Sequence, residues 1–165
     1  MSTATLQRDA RQESDSLSTG TTQLVSFSLA NELYGIEITK VREIILITEI
    51  TRIPQTPHYV KGLINLRSTV IPVVDLRAKF GLPESPFTDE SRIMVLQAVG
   101  KTIGIIVDAV SEVLRIKQDQ IAPPPPTVAG LGREYLTGLV KLEKQLLILL
   151  DIDKTLDHDE MAGIG

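Results

Sequence analysis

Two stretches of the chain repeat one pattern of aliphatic residues and glycines, and a chain built this way has few folds open to it. LVSFSLANELYGIEITKVREII from Leu24 aligns without a gap with IMVLQAVGKTIGIIVDAVSEVL from Ile93, pairing Gly35 with Gly104, Ile36 with Ile105, Val41 with Val110 and Glu43 with Glu112. The same spacing pairs Pro54 with Pro123. Further on, YVKGLINLRSTVIPVVDLRAKF from Tyr59 aligns with YLTGLVKLEKQLLILLDIDKTL from Tyr135, pairing Gly62 with Gly138, Leu66 with Leu142 and Asp75 with Asp151. The spacing lengthens between the blocks because the second copy holds an insertion near Pro124 to Gly132. Most other aligned positions exchange one aliphatic residue for another, so the copies, about 24–80 and 93–156, share one burial pattern. A unit of this size is small for a core of its own and gains by packing on its sister. Two small barrels side by side follow; whether each copy closes its own barrel or the copies exchange strands stays open at this level.

Within each copy, short runs rich in Val, Ile and Leu are broken by Gly, Pro, Asn, Asp or Lys, a mostly β pattern. It predicts strands over 24–29, 33–38, 64–66, 70–75, 92–99, 102–107, 110–116, 138–142 and 146–150. Tight turns are expected at Asn31 with Glu32 and at Gly100 with Lys101, where a hairpin needs residues that tolerate positive φ. Short helical turns are expected after Asp75 and Asp151, each carboxylate capping orphan backbone N–H groups, with Gly81 ending the first. Gly35, Gly62, Gly104 and Gly138 are scattered singly inside strand patterns, which fits bulges or close backbone approach and not a phosphate loop. Residues 1–22 are too polar to bury surface and read as a disordered, dispensable tail; the domain is expected over 23–157, with a short tail at 158–165.

Chemistry is scarce. With no cysteine, the chain has no disulfide, thiolate metal site or cysteine nucleophile. His58 and His158 are the only histidines: the first reads as a surface-turn residue after Pro57, the second lies in a polar stretch. Asp75 and Asp151 could suggest paired carboxylates, but their repeated place before a helical turn favours capping. No residue set implies a catalyst, a metal or a cofactor. A net charge of -4 and 4% aromatic content leave little for a phosphate-tracking or base-stacking surface, so nucleic acid is not an expected partner. No run is long enough to span a bilayer and the start lacks an apolar leader, so a cytoplasmic protein without membrane insertion is expected. The run Pro123 to Pro126 could be a polyproline ligand, but an extended connector inside the insertion suits it better.

The stretches YGIEITKVREI, TRIPQTPHYVKGLINLRSTVIPVVDLRAKFGL, GIIVDAVSEVL and YLTGLVKLEKQLLILLDIDK resemble, in order and spacing, the family of the bacterial chemotaxis coupling protein CheW, over roughly Gln23 to Met161. The resemblance implies a mostly β fold of two five-stranded, SH3-like barrels packed side by side, without catalysis. It also implies an adaptor that bridges the cytoplasmic tips of methyl-accepting chemoreceptors to the regulatory domain of the histidine kinase CheA, with other CheW-like domains as further partners in rings. Such a protein is cytoplasmic and is recruited to membrane-associated receptor arrays. A hydrolase and a small-barrel nucleic-acid binder are the rival classes, and the lack of a constellation for either counts against both. A CheW-like module of a larger coupling protein or of the kinase itself is a closer rival; the few residues after Leu156 favour the stand-alone form.

Glu43 and Arg67 are the most suggestive charges, because the second copy carries Glu112 and Glu143 at the matching positions and so lacks the complement. By themselves they read as two solvated charges; the resemblance places both in partner contact. Val41 and Ile44, matched by Val110 and Val113, read as core by spacing alone, whereas the resemblance places such aliphatics in a receptor-binding groove at the barrel junction. The receptor-binding set expected on this basis is Val41, Glu43, Ile44, Gly62, Arg67, Gly104, Val110 and Val113, and the kinase is expected near the hairpin that includes Val70 and Ile71. Ser68 stands where the family pattern usually has Gly; if that hairpin tip is left-handed, Ser costs roughly 1 kcal/mol there.

Overall fold

The computed structural model describes residues 20–124 and 135–156, so residues 1–19 of the expected N-terminal tail, the tail at 158–165 with His158, Pro125, Pro126 and most of the insertion lie outside the described residues, whereas Thr21 and Thr22, expected in the tail, open the first strand because they pair with Lys117 and Ile116. The chain forms β1 (Thr21–Leu29), β2 (Glu32–Glu37), β3 (Val41–Leu46), β4 (Val60–Leu66), β5 (Thr69–Asp75) and α1 (Leu76–Lys79). The second repeat gives β6 (Arg92–Ala98), β7 (Lys101–Val107), β8 (Ala109–Lys117), β9 (Ile121–Ala122), β10 (Leu136–Lys141), β11 (Leu146–Leu150) and α2 (Ile152–Leu156).

The copies exchange strands. One sheet runs β8-β1-β2-β11-β10-β9 and the other β3-β6-β7-β5-β4, so each holds the opening hairpin of one repeat and the remaining strands of the other. The repeats meet in parallel at β2 with β11, through Gly35 and Leu149, and at β5 with β7, through Val73 and Gly104. Each sheet closes on itself by one bent stretch of chain. In the first barrel β8 pairs with β1 while its continuation, β9, pairs with β10. In the second, β3 pairs with β6, and Thr51 just beyond it bridges Leu63 of β4. Counting each bent stretch as one strand, both are five-stranded, SH3-like barrels.

Three apolar clusters follow from this arrangement. Leu24, Ile116, Val140 and Leu147 fill the first barrel; Ile64, Ile71, Val73 and Ile93 fill the second. Between the barrels lies a larger layer that includes Phe27, Ile36, Val74, Met94, Leu96 and Ile105. Strands β1, β5 and β6 therefore bury both faces, which is why β5 and β6 read as continuous apolar runs and not as alternation, and why even Ser26 of β1 is buried. All the aromatic residues except Phe87 gather at this junction: Phe27 stacks on Tyr34, Phe80 on Tyr135, and the Lys79 ammonium lies 4.0 Å from the Tyr59 ring centre and 5.8 Å from that of Tyr135, its repeat equivalent.

Asp75 caps α1 by accepting from the Arg77 and Ala78 N–H groups, and Asp151 accepts from Lys154 N–H at α2. Gly81, at φ +73, follows the end of α1. The hairpin turns differ by one residue from expectation: Ala30 with Asn31 and Val99 with Gly100 take the positive φ, because Glu32 and Lys101 already pair in their strands. Strand β3 departs most, since the sequence pattern left 41–46 unassigned. An extra residue between Val41 and Glu43 makes a bulge, which breaks the alternation that marks a strand.

Candidate functional site

The bulge in β3 decides which side chains share a face. In a regular strand Val41 and Ile44, three apart, would point in opposite directions. Here Val41 pairs with Leu96 and Ile44 with Met94, and both of those partners belong to the layer between the barrels. The second copy repeats the device. Val110 pairs with Phe27 and Val113 with Val25, again across a one-residue bulge, where the buried Ser26 hydroxyl donates to Glu112 O and accepts from Glu112 N–H. In both copies the first valine packs against the central layer and the second aliphatic, Ile44 or Val113, is exposed at its margin.

Beside that margin, Glu43 pairs with Arg67 at the tip of the β4–β5 hairpin, joining the bulged strand to the turn. Arg67 and Ser68 form the turn, both at positive φ, and Asn65 Oδ1 accepts from Ser68 N–H at 2.9 Å. The expected left-handed tip is therefore present, occupied by two residues that have a Cβ to crowd. Barrel closure depends on Gly62, at φ +150, where an added Cβ would come 2.2 Å from Thr51 O. Gly138 does the same against Ala122 O at 2.8 Å, and an added Cβ on Gly104 would meet Ile93 Cγ2 at 2.9 Å. Gly62 and Gly104 thus lie inside the barrel wall and shape the site without offering surface.

The hairpin pair divides as well. Val70 is 60% exposed, whereas Ile71 is 2% exposed and sits in the second barrel's core, so Ile71 is corrected from a contact residue to a support behind one. Leu146, the repeat equivalent of Val70, is exposed too; the alignment carried that signal, but the sequence reading did not single it out. His58 is exposed in a turn with Nε2 3.2 Å from Ala78 O. Among the described residues no group of three or more His, Asp or Glu could hold a metal, and no helix is long and apolar enough to cross a membrane. Two open clefts lie among the described residues: one of about 420 Å³ lined by Ser28, Glu32, Thr88 and Asp108, another of about 310 Å³ lined by Glu37, Gln118, Thr137 and Asp151.

Two ion pairs stand where the chain passes from barrel to barrel, and the sequence reading missed both because their members are far apart in sequence. Arg77 of α1 donates to Asp108, which also accepts from Ala30 N–H at the β1–β2 turn. Lys40 donates to Asp153 of α2, which also accepts from Val99 N–H at the β6–β7 turn. The Arg77 hydrogen bond, against the cost of burial and with help from the Ala30 N–H, holds the Asp108 carboxyl below its ordinary range. The Lys40 hydrogen bond and then the Val99 N–H do the same for Asp153, and the Asp153 hydrogen bond raises Lys40 in turn.

The fold is matched among known proteins. The CheW-like domain family matches residues 23–160, most of the chain. The chain belongs to the CheW-like family. Chemotaxis protein CheW of Klebsiella aerogenes is 43% identical over 140 residues, spanning 85% of this chain and 84% of its own length. Chemotaxis protein CheW of Treponema pallidum is 36% identical over 147 residues, spanning 87% of this chain and 86% of its own. The crystal structure of the scaffolding protein TtCheW from Thermoanaerobacter tengcongensis superposes with a TM-score of 0.77 at 37% identity, covering 84% of this chain and 94% of that one. This CheW-like domain therefore carries the two-barrel fold, with the Glu43–Arg67 pair at the tip of the β4–β5 hairpin.

Proposed function

We propose that the chain is a non-catalytic chemotaxis adaptor that couples the cytoplasmic tips of chemoreceptors to the regulatory domain of the histidine kinase CheA. The observation that carries the reading is the repeated pair of aliphatics at the barrel junction. Each bulge extends the buried central layer outward to an exposed Ile44 or Val113, giving an apolar strip on which an amphipathic receptor helix can lie. The Glu43–Arg67 pair beside one strip supplies a charged rim found in only one copy, and rim charges set orientation and partner choice. The kinase contact belongs to exposed Val70, with Ile71 behind it. Membership of the CheW-like family and likeness to a protein described as a scaffold support this division of roles. Cytoplasmic residence with recruitment to receptor arrays follows from those partners, and other CheW-like domains join them in rings.

A pull-down with receptor cytoplasmic fragments and kinase regulatory domain tests the reading. The wild-type chain should retain both, and Val41→Glu or Ile44→Glu should lose receptor more than kinase. Equal loss of both partners from a folded variant would refute separate sites. Turnover of ATP or of a phosphoprotein that survives repurification and disappears with one point mutation would sink the adaptor reading.

A further inference from the structure

The two crossover ion pairs are built alike but differ in strength. At the Asp108 crossover Arg77 makes a two-point contact, Nε to Oδ1 at 2.9 Å and Nη2 to Oδ2 at 2.7 Å, and its third nitrogen donates to Pro83 O at 2.6 Å. At the other, Lys40 makes one contact, Nζ to Asp153 Oδ2 at 2.8 Å. Paired guanidinium bonds fix geometry, whereas a single ammonium bond leaves its flexible stem free to swing. Exposure follows the same order: the side chains are 17% and 33% exposed for Arg77 and Asp108, against 34% and 44% for Lys40 and Asp153.

The weaker pair also holds the more strained turn. Asp153 Oδ1 accepts from Val99 N–H at 2.9 Å, and Val99 sits at φ +46, a region that β-branched residues rarely occupy. A conformation of this kind persists only while its surroundings enforce it. Lys40, at the opposite end of the contact, directly precedes Val41 and so sets where β3 and its bulge begin. Its ammonium also lies in the field of Glu37 and Asp151, so removing it leaves three carboxylates without this counter-charge.

We infer that Lys40 and Asp153 form a releasable latch that positions the start of β3, so that partner binding at Val41, Glu43 and Ile44 is coupled, through Asp153 on the helix that follows β11 of the other barrel, to the Val99 turn of the β6–β7 hairpin against which β3 pairs. Neither latch residue touches the partner; both act through β3 and are positioning residues. The coupling rests on the adaptor reading, but the latch has a readout that needs no partner. Amide exchange of Val99 is measured by NMR in the full chain, with Lys40→Met to remove the charge, Lys40→Arg to keep it, and Asp153→Asn, which retains an acceptor for Val99 N–H. Asp108→Asn serves as the control at the firm crossover.

Lys40→Met should raise Val99 exchange and weaken binding of a receptor cytoplasmic fragment, each about fivefold or more, while the melting temperature falls by no more than about 2–4 °C. Lys40→Arg should return both toward wild type, and Asp153→Asn should weaken binding with a smaller rise in exchange. Asp108→Asn should leave Val99 unchanged. Wild-type Val99 exchange in Lys40→Met overturns the latch, and raised exchange with unchanged affinity overturns the coupling. If the wild-type chain binds no receptor fragment, the adaptor reading fails and the coupling with it, while Val99 exchange still decides the latch by itself.

Discussion

At the scale of single residues, the β4–β5 tip concentrates the chemistry. Arg67 and Ser68 both take positive φ, so Ser68→Gly should stabilise the fold by about 1 kcal/mol, a rise in melting temperature of about 2–4 °C. The Glu43–Arg67 pair is exposed enough to contribute only about 0–1 kcal/mol, so Arg67→Glu or Glu43→Arg should leave the melt almost unmoved. Binding should respond strongly, because an unpaired charge desolvated at an interface costs several kcal/mol. The double reversal should recover part of that loss in a double-mutant cycle, and strictly additive losses would show that the pair does not act together. Asp108 and Asp153 make acid the vulnerable side. Their folded-state carboxyls lie below the ordinary value near 3.9, so the stability they add is present above that value and is lost as the pH falls through the folded ones. An Asp108→Asn, Asp153→Asn double variant should therefore lose stability less steeply than wild type between neutral pH and pH of about 3; parallel curves would deny these groups that role. The charges of the two crossover pairs were legible one by one in the sequence, and their pairing was not. Glu43 with Arg67 emerged from comparing the copies, whereas nothing local joins Lys40 to Asp153.

At the scale of elements, glycine marks where chain crosses chain. Gly62→Ala should cost about 1–3 kcal/mol, because Thr51 O blocks the new methyl and the barrel closes through that bridge. Gly138→Ala should cost less, its nearest backbone oxygen being farther off, and Gly81→Ala, with open space around it, should cost only its backbone strain, about 1 kcal/mol. A chemical-denaturation series that reversed this order would show that closure is looser than the geometry implies. Gly62, Gly138 and both capping aspartates were readable, because a repeat that keeps a residue twice exposes its structural purpose. Strand β3 was hidden for the opposite reason: the bulge that brings Val41 and Ile44 to one face also erases the alternation by which a strand is recognised.

At the scale of the whole molecule, strand exchange could not be read, since swapped and unswapped barrels give each residue nearly the same neighbours, merely drawn from the other copy. The exchange makes neither repeat complete. Residues 1–86 and 87–165 prepared separately should each lack a cooperative melt, and mixing them should restore one; a fragment that melts cooperatively as a monomer would contradict the observed pairing. A single copy that kept this strand exchange would close only with a second copy, as a symmetric dimer trading hairpins. In such a dimer both crossovers must carry the same residues. Here the helix supplies the cation at one crossover and the anion at the other, an inversion that two identical copies could not hold.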